Sequence, residues 1–517
     1  MTHAPYAFVP LSAWVYQPEW ADRVSHDRPM PDGWSGTIEI DIKAITPLLI
    51  GAERRKPDEN GPTTVLPFVL PDGRAAIPGS SLRGMLRNII QIAAFGQIGP
   101  WTDAKHERTI DYTRSRKSSA SDHLSEAVID LATLIFGAVN DNENSEQKGR
   151  VSFTAAVSDT VVKTDELGSY TTVLGEPKSS FYPHYIRQAP PSSGGSLAPL
   201  AQYKPDRSAE SPEARWPEIS GWKRYPARET WKIDKPPHKA GPKVQTILEP
   251  IPAVNLTFSG QIYIHNMNSI ELGALLWALS WGNRDVCRHR IGMGKPYGLG
   301  EIDVSISRLF LEPNDLAQDA IEQASREKIR ESAAQFIDTF CREMNAAYSK
   351  FSDVPPSNQN RPWEKSEQIL TLLAMADAEL GAKQNLRYLP FKDHNKAKKS
   401  HDGLPAYPIS GEDQPIRDHA VWPRSIPEKQ QGSNASGRNA RNDGQRNRYD
   451  RGQRGGGGSP GTHRGPAGWR KGQKVMEIQE GLPVTVAKDA PADATEVWVI
   501  YEDSPEPEKV PVSYLKR

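Results

Sequence analysis

Alternating apolar and polar residues predict where the strands of this chain lie. Residues 36–45 alternate β-branched and polar side chains with a period of two, which is typical of a strand with one buried face. Strands are also predicted at residues 253–265 and 301–306, and a shorter one at residues 149–153. We therefore expect a sheet built from segments that are far apart in sequence.

Apolar residues with helical spacing predict helices between these strands. A helix beginning near Ser80 is indicated by five residues with i, i+3, i+4, i+7, i+8 spacing, namely Leu82, Met85, Leu86, Ile89 and Ile90. Further helices are predicted at residues 124–136 and 269–281, and Asn268 with Glu271 is a capping pair for the second of them.

The order of these elements is β-α-(α)-β…β-α-loop-β, close to the β-α-β-β-α-β order of a ferredoxin-like sheet. The predicted fold class is α+β, with a ferredoxin-like or RRM-like core that carries long insertions. The predicted organisation is an N-terminal strap (1–35), a core domain (36–310) with insertions at 101–122 and 189–245, a helical and basic extension (311–426), an Arg/Gly-rich linker (427–473) and a small terminal β element (474–517). The linker has almost no apolar residues to bury, so we expect it to be disordered.

Composition narrows the functional classes. The 517 residues contain 64 Lys and Arg against 64 Asp and Glu, so any polyanion must be bound by local clusters rather than by the net charge. Two cysteines cannot form a disulfide framework or a cysteine-based zinc site. We see neither a secretory signal nor an apolar run of about 20 residues, so a cytoplasmic protein with no membrane partner is expected.

The start of the helix near Ser80 carries groups that suit an anion. Ser80 and Ser81 lie where free backbone N–H groups and the helix dipole favour negative charge. Arg83 and Arg87 are four residues apart and therefore share one face of the helix. These groups suit a phosphate backbone. A capped helix whose arginines pair with surface acids is the alternative, and the pattern leaves both open.

A glycine-rich loop precedes the last strand of the predicted core. Its spacing matches neither the P-loop pattern nor G-x-G-x-x-G after a strand, which disfavours nucleotide hydrolysis. Regularly spaced glycines with cationic and aromatic neighbours allow a polyanion close to the backbone. The candidate RNA contacts are Arg290, Gly292, Gly294, Lys295, Tyr297, Gly298 and Gly300. A flexible connector is the alternative.

A third candidate lies at residues 174–185. Lys178, Tyr182 and Tyr185 offer a cation and two aromatic faces, which single-stranded RNA binding requires. A packed hairpin with surface aromatic residues would give the same pattern.

Taken together, these motifs resemble those of the RAMP superfamily, in particular subunits of type III CRISPR effector complexes. The resemblance covers about residues 36–308 and rests on Ile77-Pro78-Gly79-Ser80-Ser81-Leu82-Arg83-Gly84 with Arg87, on Phe136-Gly137 followed by residues 149–153, on Leu174-Gly175-Glu176-Pro177-Lys178 with Tyr185, and on residues 290–300. It implies a large, insertion-bearing subunit that binds the backbone of CRISPR RNA, faces target RNA and assembles with other type III effector subunits.

The resemblance also implies a candidate catalytic residue. Some members carry an Asp, on the loop after the first strand, that cleaves target RNA with a divalent metal, and Asp58 is the corresponding residue here. A carboxylate beside a displaced nucleotide suits metal binding or proton abstraction from the 2′-hydroxyl. If Asp58 is catalytic, Mg²⁺ or Mn²⁺ would be the divalent metal. The sequence assigns no metal ligands, and we expect no tightly bound cofactor. The alternative is that Asp58 is merely a solvated acid, which is the more common role of an acid in a charged surface loop.

Two rival functions stay open. A repeat-RNA-processing endoribonuclease would use a histidine such as His26, beside Asp27, as its general base, and His184 and His265 are further histidines to consider. A non-catalytic RNA-binding scaffold would need none of them. The arginines of residues 438–470 suit weak, salt-sensitive phosphate contact in either case.

Overall fold

The computed structural model divides the chain into two compact units, residues 1–426 and 427–517. It describes residues 4–12, 14–56, 61–97, 101–103, 108–110, 117–118, 129–138, 147–164, 166–174, 181–188, 200, 219–233, 245–350, 362–388, 400, 403–409, 474–477, 482–488, 491, 496–501, 504–511 and 515–516. The predicted linker at 427–473 and the loop that carries Asp58 lie outside these residues.

The strands of the first unit are short except for three of 12 or 13 residues. In chain order they are β1 Ala7–Val9, β2 Trp14–Val15, β3 Gly33–Ala44, β4 Gly51–Arg55, β5 Thr63–Pro67, β6 Arg74–Ile77, β7 Trp101–Asp103, β8 Arg108–Ile110, β9 Lys117–Ser118, β10 Gly137–Ala138, β11 Gln147–Lys148, β12 Val151–Phe153, β13 Ala156–Val161, β14 Tyr170–Thr172, β15 Trp222–Arg224, β16 Thr246–Leu248, β17 Thr257–Asn268, β18 His289–Arg290, β19 Glu301–Pro313 and β20 Ile321–Gln323.

The helices of this unit are α1 Gly79–Ala93, α2 Leu131–Phe136, α3 Tyr182–Tyr185, α4 Ser269–Ser280, α5 Arg326–Ser349, α6 Glu367–Ala376 and α7 Ala378–Ala382. Short 3-10 turns lie at Ala21–Arg23, Lys295–Tyr297 and Trp363–Lys365. None of the helices in the described ranges is long and apolar enough to cross a membrane.

The central sheet confirms the predicted α+β fold with a ferredoxin-like core. Its neighbours run β19, β3, β17 and then β12 with β13, all antiparallel. With β3 as the first core strand, β12 and β13 as the second, β17 as the third and β19 as the fourth, the spatial order is 4-1-3-2. Helix α1 follows the first core strand and α4 follows the third, as that fold requires.

Strand β3 shows why the alternating pattern predicted the sheet correctly. Ile38, Ile40 and Ile42 are at most 1% exposed, whereas Glu39 and Asp41 lie between them on the opposite face. The apolar face contacts the helices and the polar face is open to solvent. The position of the core was therefore readable from the period of two.

Helix α4 is apolar on all sides because it is covered on all sides. Leu272, Leu275 and Leu276 are completely buried between the sheet and α5. A Cβ atom at Gly273 would collide with the backbone carbonyl of Phe336, so α4 and α5 approach each other closely. The helical extension predicted from residue 311 begins later in the structure, because β19 continues to Pro313 and α5 begins at Arg326.

A buried ion pair connects the first residues of the chain to this core. The guanidinium of Arg150 donates to the carboxylate of Glu271, and both side chains are fully buried. The same carboxylate accepts hydrogen bonds from Trp20 Nε1 at 3.1 Å and from the backbone N–H of Asn268 at 2.9 Å. Glu271 thus completes the predicted capping pair of α4 and also anchors the N-terminal segment.

The second unit contains a five-stranded antiparallel sheet. Its strands are β21 Lys474–Glu477, β22 Leu482–Val486, β23 Glu496–Tyr501, β24 Ser504–Pro511 and β25 Leu515–Lys516. They run in the order β24-β23-β22-β21-β25. Val484, Val486, Val497 and Val499 are buried at its centre, so strands occupy the region predicted to form a terminal β element.

Candidate nucleic-acid interface

The start of α1 retains the features of an anion-binding helix terminus. Its first turn has no side-chain cap and no acidic residue, and Ser80 is exposed. Gly79 lies so close to β12 that a Cβ atom there would collide with the carbonyl oxygen of Phe153. The glycine of the motif is therefore required by the packing of helix against sheet. The hydroxyl of Ser81 lies on the same turn and is half-buried.

Arg83 and Arg87 both contact the end of α2. Arg83 donates to the carbonyl of Phe136, and Arg87 donates to the carbonyl of Gly137 at 2.8 Å. In the described part of the chain neither forms an ion pair with an acid, so the arginines do not follow the surface-pair alternative. Arg83 is exposed, and burial lowers the pKa of Arg87. The negative end of the α2 dipole helps to hold both guanidinium groups in place.

The glycine-rich loop is shaped by packing within the protein. Its four glycines, Gly292, Gly294, Gly298 and Gly300, all have φ between 73° and 89°, a region that other residues rarely adopt. A Cβ atom at Gly298 would collide with the carbonyl oxygen of Thr230. Gly298 and Gly300 are buried, so these glycines allow close packing of the loop instead of close approach of a ligand.

Arg290 and Tyr297 face inward, which corrects their assignment as RNA contacts. Arg290 is 7% exposed and donates to the Glu301 carboxylate at 3.1 Å and to the carbonyls of Lys295 and Leu299. Tyr297 is 5% exposed and lies in a small apolar cluster. Arg290 stabilises the loop from within because the backbone carbonyls of the loop need donors in a region that excludes water. Tyr297 stabilises it by apolar packing.

Unlike Arg290, Lys295 of this loop is only half-buried. Its Nζ donates to the carbonyl of Gly292 at 2.6 Å. Burial, followed by the charges of Arg290 and Arg224, lowers the pKa of Lys295 to about 8. A phosphate would reverse this shift, so the ammonium group is suited to an anionic ligand.

Residues 222–228, which we call the bridging segment, join α1 to the glycine-rich loop. Arg224 donates to Oδ1 of Asn88 on α1 at 2.6 Å. At the other end, Arg228 donates to the carbonyl of Pro296 at 3.0 Å, and the carbonyl of Pro226 accepts from Arg290 at 2.9 Å. The two motifs are thus connected through a part of the 189–245 insertion.

The bridging segment and the loop carry more positive charge than the protein neutralises. We call Arg224, Arg228, Arg290 and Lys295 the cationic cluster. Among the described residues its one ion pair is Arg290–Glu301, so four cations and one carboxylate leave three positive charges. Burial lowers the pKa of Arg224 and of Arg228 to about 10 in each case. Such a cluster is destabilising by itself and favours an anion.

Sequence reasoning missed Arg224 and Arg228. The segment around them is rich in Pro, Trp, Lys and Arg, but it has no regular pattern and was assigned only as an insertion. Nothing in the sequence indicates that this insertion returns to α1 and the loop. The basic composition was the one available signal.

The third candidate is brought only partly into this region. Tyr185, at the end of α3, accepts a hydrogen bond from Lys223 of the bridging segment at 2.7 Å. Tyr182 packs with Tyr185 in a small cluster around Ile186. Lys178 lies outside the described residues.

The histidines considered as general bases are engaged with the protein. His26 stacks on His265 with ring centroids 5.7 Å apart, and its Nε2 lies 2.9 Å from the carbonyl of Lys148. His184 is buried and its Nδ1 is hydrogen-bonded to Tyr6 at 3.0 Å. Within the described ranges no three His, Cys, Asp or Glu residues lie together so as to hold a metal ion.

Comparison with known proteins identifies the family. No curated protein matches the chain. The model of the RAMP superfamily matches residues 41–303, which span the core from β3 to β19 and both motifs joined by the bridging segment. This match covers half of the chain, and the 4-1-3-2 sheet agrees with the ferredoxin-like core expected of the family. The chain therefore belongs to the RAMP superfamily, whose members are typically CRISPR-associated RNA-binding proteins.

Proposed function

We propose that this chain is a subunit of a type III CRISPR interference complex and that it binds the backbone of CRISPR RNA along α1 and the cationic cluster. The observation that carries the proposal is the excess of three positive charges where the bridging segment meets the loop. Lys295 and Arg224 are half-buried, so their charged groups are within reach of a phosphate. Arg290 and Arg228 are buried and increase the positive electrostatic potential at this surface.

The start of α1 extends this surface. Its uncapped first turn and the exposed Arg83 supply N–H donors and charge, and Arg224 connects α1 to the cluster through Asn88. A strand of ribose-phosphate along this path would place successive phosphates against successive donors. Binding through phosphates is independent of base sequence, as a protein that carries many different guides requires.

The test is the salt dependence of RNA binding. We expect the Arg83→Ala/Arg87→Ala variant to bind a labelled guide RNA more weakly. Its slope of log K against log salt should be smaller by roughly 0.7 for each phosphate that the variant no longer neutralises. Arg308→Ala is the matched control, because Arg308 is an exposed arginine on the polar sheet face that pairs with Glu322. Fluorescence anisotropy at four salt concentrations gives both slopes.

Two outcomes would contradict the proposal. One is an unchanged slope in the double variant while its thermal unfolding matches that of the wild type. The other is RNA, co-purified with the chain from its native host, that lacks CRISPR repeat sequence. Repeat-derived guides together with other type III subunits would support the assignment of the complex.

Cleavage of target RNA is a separate part of the proposal and rests on Asp58. In the assembled complex we expect Asp58→Ala to abolish cleavage in Mg²⁺ or Mn²⁺, while guide binding is unchanged. Asp72→Ala is the control, because Asp72 is an exposed acid in a turn and pairs with Arg74. If the Asp58→Ala and Asp72→Ala complexes cleave target RNA equally, Asp58 is not catalytic, and the subunit would be an RNA-binding scaffold. Cleavage of repeat RNA in EDTA would instead indicate the processing endonuclease.

A further inference from the structure

Aromatic rings from three separate segments surround Lys223 of the bridging segment. Tyr6 and Phe8 come from the N-terminal residues, Tyr185 from α3, and Tyr225 from the bridging segment itself. Lys223 Nζ lies 3.9 Å from the ring centroid of Tyr6, 5.2 Å from that of Tyr185 and 5.6 Å from that of Tyr225. We call these four rings and Lys223 the aromatic cage.

The rings are held in place by packing against each other and by the backbone. Tyr6 meets Phe8 and Tyr225 edge to face, with centroids 6.0 and 6.2 Å apart, and Phe8 meets Tyr185 in the same way at 5.3 Å. Strand β1 pairs with β15, and this pairing places Phe8 directly opposite Lys223. The geometry is therefore preorganised, and all four rings remain half-buried with part of their surface open.

Lys223 has no carboxylate partner in the described part of the chain. It donates to the hydroxyl of Tyr185 at 2.7 Å and otherwise faces rings. Burial lowers the pKa of Lys223 to about 8. A cation among aromatic rings, without an acid to neutralise it, suits a ligand that has both a flat π-system and a negative charge.

The position of the aromatic cage indicates which ligand with a flat π-system and a negative charge it binds. Tyr225 of the cage directly precedes Pro226, whose carbonyl accepts a hydrogen bond from Arg290 of the cationic cluster at 2.9 Å. An RNA strand held at the cluster therefore passes beside the cage. A nucleotide of that strand would carry the phosphate and the base together.

We propose that the aromatic cage binds one unpaired nucleotide of the RNA, with its base stacked on the open ring faces and its phosphate paired with Lys223. This inference rests on the proposed function, since it requires RNA at the cationic cluster. It adds binding of bases, which stack on every aromatic face with little regard to sequence. The strand must be single-stranded at this point, because a paired base has no free face.

The test uses the full-length chain and removes single rings. Tyr225→Leu should weaken binding of single-stranded RNA by roughly 5- to 100-fold. Tyr225→Phe keeps the ring and should bind as the wild type does. Both variants are compared by thermal unfolding, and Tyr185→Leu with Tyr185→Phe repeats the comparison on a second ring if Tyr225→Leu does not fold.

RNA with an abasic stretch separates this inference from the proposed function. The wild type should bind abasic RNA as weakly as Tyr225→Leu binds normal RNA, with an unchanged salt slope. Ultraviolet irradiation with uridine-rich RNA should crosslink to a peptide that contains Tyr185, Tyr225 or Tyr6. Equal binding of normal and abasic RNA, with equal affinity for Tyr225→Leu, would overturn the cage while leaving the phosphate binding intact. If the wild type binds neither RNA, the proposed function itself fails.

Discussion

Arg224 donates from Nη1 to Oδ1 of Asn88 at 2.6 Å, and through this bond an insertion reaches the first helix of the core. The two residues are 136 positions apart in sequence. The bond fixes the bridging segment against α1, while Arg228 fixes it against the glycine-rich loop. The insertion is thereby part of the candidate interface.

Removal of the acceptor tests this connection. Asn88→Ala removes the side-chain hydrogen-bond acceptor of the half-buried Arg224 guanidinium, and we expect the free energy of unfolding to fall by about 1–3 kcal/mol. Urea denaturation followed by tryptophan fluorescence measures the change. Ser80→Ala, on the exposed side of the same helix, should change the stability by less than about 0.5 kcal/mol. Equal stability of the two variants would show that the bond does not hold the segment.

The ion pair between Arg150 and Glu271 should be the most sensitive polar interaction of the core. Glu271→Leu leaves a fully buried guanidinium without its charge partner, so we expect the free energy of unfolding to fall by about 3–5 kcal/mol. Glu322→Ala removes the partner of the exposed Arg308 and should cost no more than about 1 kcal/mol. Thermal and urea unfolding measure the decrease in stability for both variants. Similar decreases would contradict this prediction.

Two glycines of the motifs should respond in opposite ways to the same substitution. Gly298→Ala introduces a Cβ atom at φ 89° and against the carbonyl of Thr230, so we expect the stability to fall by more than about 1 kcal/mol. Gly84 lies inside α1 with no heavy atom within 4 Å of the added Cβ atom, and Gly84→Ala should stabilise by about 0.5–1 kcal/mol. The two melting temperatures give the comparison, and a destabilised Gly84→Ala would contradict the described helix.

Binding of RNA should weaken as the pH rises through 8. Lys295 and Lys223 have pKa values lowered to about 8, so both lose their charge above that pH in the free protein. Their unfolded pKa is higher, so between pH 8 and about 10 the unfolded chain binds more protons, and these lysines make the free protein more stable as the pH increases. RNA affinity should change in the opposite direction, because phosphates bind the charged form.

The Lys295→Arg variant separates this titration from a general effect of pH. An arginine remains charged throughout this range, so the decrease in affinity between pH 7 and 9 should be smaller than in the wild type. Anisotropy titrations at constant ionic strength measure it. A wild-type affinity that does not depend on pH over this range would mean that the two ammonium groups do not contact RNA.

Much of the core was readable from residue patterns. The alternation in β3 and the capping pair at Asn268 and Glu271 depend on residues that are close in sequence, and the structure has both where they were expected. The length of β19 was underestimated, since its last residues lose the strict alternation where a bulge shifts its register between Ile306 and Arg308. The start of the helical extension was placed too early for the same reason.

The direction in which the motif side chains point was decided by tertiary structure alone. Arg290 and Arg83 look alike in sequence, yet one is buried against Glu301 and the other is exposed at the end of α2. Local patterns indicate the period of burial along one element. They do not indicate which distant segment covers a loop. Here residues 222–228 cover the glycine-rich loop, and Arg290 is buried beneath them and donates to the carbonyl of Pro226. The same segment places Lys223 among aromatic rings from two other segments.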